Sequence, residues 1–202
     1  GIHVIVTDHH SLSKTLPPAN AVINPQRLPT DHPLYTLPGV GVTYKLMEAV
    51  FQSLNHRFSE GHYQELAALG IVSDVAKLQG DARYLLQKGL ESLRKTQRLG
   101  LQTLFNTSDL NPQNIDETHI GFQIAPRLNA VGRLGDANMV VELLTTKDTG
   151  LARVLAIQIE AMNAKRRFET RQVEAGAETL LQMSPEDRHA SAIVLHHPDW
   201  PG

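Results

Sequence analysis

Residues 2 to 10 read Ile-His-Val-Ile-Val-Thr-Asp-His-His, and the change of character at Asp8 decides the fold class. Ile2, Val4, Ile5 and Val6 form an apolar, β-branched run of the kind found in a strand covered on both faces of a parallel sheet. A polar triplet at the carboxyl end of such a strand stands where open α/β sheets place their chemistry. The expectation is an α/β protein in which Ile2 to Thr7 is a buried strand and Asp8-His9-His10 faces a crevice. A turn-rich stretch, Pro17-Pro18-Ala19-Asn20, then leads to a second short strand, Ala21 to Asn24, closed by Pro25.

Working outward, the spacing turns helical. Leu46, Met47, Val50, Phe51 and Leu54 recur on one helical face after the turn at Gly39 and Gly41. Tyr63 to Leu78 is a second helical candidate, and residues 81 to 96 and 98 to 105 give two more. A further helix over 115 to 125 is expected to end or kink at Pro126, with a glycine-containing loop from there to Asp136. Asp136 is placed to cap a helix through Thr145, and Asp148 or Thr149 to cap a long one through about Met183. Some 34 helical residues would span about 50 Å, more than a small domain needs. That helix is expected to connect two domains, with Ala192 to Leu195 opening the second. The domain reading is residues 1 to 147 as the C-terminal part of a catalytic domain, 148 to 184 as the connecting helix and 185 to 202 as the first strand of another α/β domain. Gly1 is not a translational start, and the chain enters its first strand without a preceding loop, as a sequence cut within a domain does.

Composition narrows the chemistry. The chain has 202 residues, 41% hydrophobic and 20% charged, which suits a globular core. With no cysteine there is no disulfide and no thiolate metal site, so any metal must sit on oxygen and imidazole nitrogen. No run of eighteen apolar residues and no secretory pattern occurs, so a soluble, cytoplasmic protein is expected. The net charge of -2 argues against a polyanion binder in bulk, leaving that role to local patches. Arg83, Lys88, Arg94, Lys95 and Arg98 form one such patch, and Lys165, Arg166, Arg167 and Arg171 another. Both read equally well as solvated helix faces.

Three constellations can carry chemistry. Asp8, His9 and His10 offer the carboxylate and imidazole ligands that suit Mn²⁺ or Mg²⁺, and an adjacent aspartate can fix a ligating histidine's other ring nitrogen. Asp74, in Gly70-Ile71-Val72-Ser73-Asp74-Val75-Ala76-Lys77-Leu78, must be exposed, paired or coordinating, because a bare carboxylate is costly to bury. It is either a helix-end residue or a ligand. Arg127, Asn129 and Arg133 lie in Pro126-Arg127-Leu128-Asn129-Ala130-Val131-Gly132-Arg133-Leu134-Gly135-Asp136, where two arginine forks either meet phosphates or face solvent.

These three pieces, in this order, resemble the DHH phosphoesterase family, and the third resembles its branch of single-strand-specific exonucleases. The resemblance covers essentially the whole chain. It implies a parallel-sheet DHH domain, partial here, followed by a helical region, the connecting helix and the start of the DHH-associated domain. It further implies a metal-dependent exonuclease that digests single-stranded DNA from the 5′ end in repair and recombination, using two divalent ions, Mn²⁺ or Mg²⁺. Carried over residue by residue, His9 and Asp74 become metal ligands. Asp8 becomes an orienting carboxylate and His10 a phosphate contact or acid, while Arg127, Asn129 and Arg133 hold the DNA backbone. Single-strand-binding protein is the implied partner, the chain is expected to be a monomer, and no membrane is involved. The family's earlier aspartate motifs do not occur, so the second metal site is expected to be incomplete and the 202 residues alone to be inactive. With few Phe and Tyr, backbone contacts are expected to dominate over base stacking. The alternatives are a DHH-family phosphatase or oligonucleotide phosphodiesterase, and a non-catalytic relative that only binds DNA.

Overall fold

The structure is a computed structural model that describes residues 1 to 183 and 190 to 200, with the side chain of Leu134 left aside. Two short strands, β1 (Ile5–Thr7) and β2 (Ala21–Ile23), pair in parallel with Ile5 opposite Ala21 and Thr7 opposite Ile23. Asp8 extends the ladder by donating its N–H to the Ile23 carbonyl at 3.0 Å. The buried strand over Ile2 to Thr7 is thereby corrected. Only three residues pair, and Ile2, Val4 and Ile5 are exposed, because β2 is the single neighbour among the described residues. Asn24 ends β2 and caps the 3-10 turn Pro25–Arg27 by accepting the Gln26 N–H at 2.9 Å.

The rest is helical: α1 (Gly39–Ser53), α2 (Glu60–Ser73), α3 (Gly80–Leu93), α4 (Leu99–Thr107), α5 (Glu117–His119), α6 (Ala125–Leu134), α7 (Asn138–Thr145) and α8 (Thr149–Met183). Apolar residues surround α2 rather than forming a stripe, which is the pattern of a helix packed on several sides. It is the central element, with Ala67, Ala68 and Ile71 fully buried between α1 and α3. The approach of α3 is set by Gly89, where an added Cβ would lie 2.3 Å from the Gln64 carbonyl oxygen. Gly89→Ala must push the helices apart and is expected to cost about 1–3 kcal/mol, read as a lower denaturant midpoint at unchanged slope.

A buried ion pair ties this core to the next layer. Arg98, just before α4, donates from Nε to Glu65 of α2 at 2.8 Å and from Nη1 to the Leu144 carbonyl of α7 at 2.6 Å. Its side chain is 8% exposed and that of Glu65 4%. Arg98 is therefore removed from the basic patch inferred over residues 81 to 100. Lys88 pairs with Glu91, and the Arg94 Nε donates to the Ile115 carbonyl. Arg83 is exposed.

Between α5 and α6 the chain makes a π turn, Ile120–Ile124, in which the Ala125 N–H reaches the Ile120 carbonyl. The expected break at Pro126 and the loop to Asp136 are corrected: Pro126 sits in the first turn of α6, where its missing N–H and fixed φ are tolerated, and the helix runs on to Leu134. Asp136 does accept the Asn138 N–H at 2.9 Å, and Asp148 the Leu151 N–H at 3.0 Å, as their helix-start positions imply.

Three helix ends share one geometry. After α1, α2 and α4 the N–H of the third residue past the helix bonds five residues back, His56 to Phe51, Ala76 to Ile71 and Leu110 to Phe105. The residue before it is left-handed: Asn55 at φ 53°, Val75 at 51° and Asp109 at 52°. Glycine, asparagine and aspartate suit that position. A β-branched valine does not, and the backbone penalty is roughly 1–2 kcal/mol.

The first half of α8 packs on α4, α6 and α7 through Ala152, Leu155, Ala156 and Ile159, and its last buried residue is Asn163. The chain returns to it at Trp200, whose indole meets Gly176. Among the described residues the strand expected over Ala192 to Leu195 is not formed, no partner strand lies beside it, and Val194 is exposed. Much of the segment from 185 onward falls outside the described residues. Among those described, no helix is long and apolar enough to cross a membrane.

Candidate metal and phosphate site

Asp8, His9 and His10 follow β1 directly, and the backbone after Thr7 is held by two side chains from beyond β2. Asn24 Nδ2 donates to the His10 carbonyl at 3.0 Å and Gln26 Nε2 to the His9 carbonyl at 2.9 Å. Sequence reading missed both; the signal was Asn24, a polar residue at a strand end that proves to be buried. On the other side α1 begins against His9, where an added Cβ at Gly39 would lie 3.1 Å from Nδ1.

Asp8 Oδ1 accepts three hydrogen bonds, from the His9 N–H at 2.8 Å, the His10 N–H at 3.2 Å and His10 Nδ1 at 2.7 Å. The bond from the His10 ring, followed by the two backbone N–H groups, holds its carboxyl down at about 2. Asp8 thus orients the His10 ring, and touches His9 through the backbone alone.

His9 turns instead to Asp74. The last turn of α2 places Asp74 so that Oδ2 lies 3.0 Å from His9 Nε2. Two neighbouring ligands of one octahedral divalent ion, each bound at about 2.0–2.1 Å, are separated by about 3 Å. The pair therefore fits a shared ion, and one ligand atom from each of Asp8, His9 and His10 also falls within 4.8 Å of the others. The donors are hard oxygen and imidazole nitrogen, which suits Mn²⁺ or Mg²⁺. The cleft around them has a volume of about 440 Å³ and is walled by Gln26, Tyr35, Pro38, Ala76 and Lys77 as well. Lys77, also missed in the sequence, brings a cation to the same space.

The third constellation divides. Asn129 and Arg133, four apart on α6, are exposed on one face. Arg127 is 12% exposed: Nε donates to Glu160 of α8 at 2.5 Å and Nη1 to the Gln123 carbonyl at 2.6 Å. In the second basic knot Arg167 pairs with Glu160 and Lys165 with Glu169.

This geometry has known counterparts. Residues 1–71 match the model of the DHH family, N-terminal domain. Those residues carry that family's N-terminal domain. Over 99% of its length it is 37% identical to the single-stranded-DNA-specific exonuclease RecJ of Salmonella typhimurium and 36% identical to that of Bacillus subtilis. Among solved structures it is similar to RecJ in complex with Mn²⁺ from Thermus thermophilus, with a TM-score of 0.85 and 34% identity over 99% of the chain. A manganese-bound exonuclease RecJ gives a TM-score of 0.83. The chain spans 37% and 25% of the two RecJ sequences and 29% and 49% of the two solved chains.

Proposed function

We propose that the protein is a metal-dependent exonuclease that hydrolyses phosphodiesters of single-stranded DNA from the 5′ end. The observation that carries this reading is the convergence of His9 and Asp74, from separate elements, at a ligand-to-ligand distance of 3.0 Å beside an oriented Asp8–His10 pair. It is supported by similarity to RecJ over nearly the whole chain and by the Mn²⁺ and Mg²⁺ in its solved structures.

His9 and Asp74 are ligands of one of two divalent ions, Mn²⁺ or Mg²⁺. Bound there, the ions supply charge stabilisation at the reacting phosphate and a water of lowered pKa. The chain's own residues do the rest. Asn24 and Gln26 fix the backbone that carries both histidines, and Asp8 holds His10 so that Nε2 can contact a phosphate oxygen or hand a proton to the leaving oxygen. Lys77 adds positive charge to the cleft, and Asn129 and Arg133 hold the DNA backbone. Arg127, anchored by Glu160, stiffens the same helix and keeps Nη2 for a phosphate. The part of α8 beyond Asn163 is the connector to a further domain, a role supported by the end of its buried face. A cytoplasmic location and single-strand-binding protein as a partner go with the exonuclease reading.

The test is nucleotide release by the full-length protein from single-stranded and blunt duplex DNA with Mn²⁺ or Mg²⁺. Activity on single strands is expected to exceed that on duplex; equal rates, or activity on small phosphate esters alone, would refute the reading. Arg133→Ala is expected to weaken DNA binding and to reduce the slope of log affinity against log salt by roughly one unit. An unchanged slope would show that Arg133 meets no phosphate.

A further inference from the structure

Beside the metal cleft lies a second cavity of about 470 Å³, walled mainly by Val72, Val75, Leu78, Phe122 and Pro126, with Asn129 at its rim. Ala76 lines both spaces, so the two are separated by little more than one residue of the segment that carries Asp74. Two features of its walls run against ordinary folding. Val75 takes the left-handed position that α1 and α4 give to Asn55 and Asp109, and the residue is 89% exposed, so little packing offsets the strain. Strain of this kind gathers at binding sites. Phe122 is 80% exposed on the π turn, and among the described residues no other ring lies against it. Such turns also recur at functional positions.

A cavity of this size suits a small flat group. The walls offer an aromatic face and a branched aliphatic, with few charges, and every nucleobase has a π face that such walls can hold without reading sequence. We propose that this cavity holds a base of the strand whose phosphate lies at His9 and Asp74, with Phe122 and Val75 as its apolar walls. The assignment rests on the phosphodiesterase reading of the cleft. Asn129, at the rim, meets the backbone as the strand passes from one space to the next.

The experiment compares a 5′-phosphorylated oligothymidylate with a strand of the same length made of abasic sites. Binding is followed by fluorescence anisotropy with Ca²⁺ as the divalent ion. The unsubstituted protein is expected to prefer the base-bearing strand by about tenfold, a single stacking contact's worth. Phe122→Ala and Val75→Gly are expected to remove most of that preference and to leave abasic binding unchanged. Val75→Gly should also raise the melting temperature, since glycine relieves the left-handed strain while it removes the wall. Equal binding of the two strands by the unsubstituted protein overturns the base site and leaves the phosphodiesterase reading standing. Binding of neither strand overturns both. A Phe122→Ala protein that melts earlier yet keeps the preference shows that the patch packs against protein, and the base site falls.

Discussion

Asp74→Asn is expected to lower Mn²⁺ affinity by more than about 100-fold while leaving the metal-free fold nearly as stable as before. Changes to groups that merely orient a metal ligand typically cost 10- to 100-fold, and a ligand itself should cost more. Asp74 is part-exposed and, among the described residues, its side chain meets only His9 Nε2, so the loss of that contact alone is worth about 1 kcal/mol or less. His9→Ala is expected to behave in the same way, and the two losses should not add, because the first already opens the shared site. Calorimetric titration of Mn²⁺ into each variant, with melting of the metal-free proteins alongside, separates affinity from folding. Unchanged affinity in Asp74→Asn would remove the aspartate from the ligand set, and a large fall in melting temperature would make the pair a structural tie.

The largest stability effect is expected at Arg98. Arg98→Ala leaves Glu65 buried without its partner and the Leu144 carbonyl without a donor. Breaking a buried pair from one side costs about 3–5 kcal/mol, a large share of the roughly 5–15 kcal/mol that holds a domain folded. The Arg98 Nη2 bond to the His62 carbonyl at 3.1 Å is lost as well. Replacing both partners, Arg98→Met with Glu65→Leu, is expected to recover most of the loss, since no charge is then stranded. Denaturant unfolding of the single and double variants decides it. A single-variant cost below about 1 kcal/mol would place the pair in solvent, contrary to its burial.

What could be read from the sequence was what local pattern controls. The change from β-branched to polar residues at Asp8 marked the strand end, and the pairing of β1 with β2 put Asp8 to His10 just past it. Helical spacing located α1, α3, α4 and α8, and the odd aspartate in an apolar run identified Asp74. What stayed hidden depends on residues far apart in the chain. Nothing near Arg98 or Arg127 says that Glu65 or Glu160 will meet them, so a run of basic residues could not be divided into exposed and consumed members. Asn24, Gln26 and Lys77 reach the site only through the folding of β2 and the α2 terminus. Aromatic scarcity argued against stacking, but a composition cannot show that Phe122 is left bare. The break assigned to Pro126 failed because proline is as much at home in a first helical turn as after a last one.

The π turn at Ile120–Ile124 has a rotational consequence. Each residue of an α-helix advances about 100° around the axis, so one residue more or less within a continuous helix turns everything beyond it by that angle. The wider turn therefore acts as a phase setting between α5 and α6. It points Arg127 at Glu160 and brings Asn129 to the rim of the cavity beside Asp74. The azimuth of the proposed DNA-facing side chains is thus set upstream of them, by a turn that carries neither Asn129 nor Arg133.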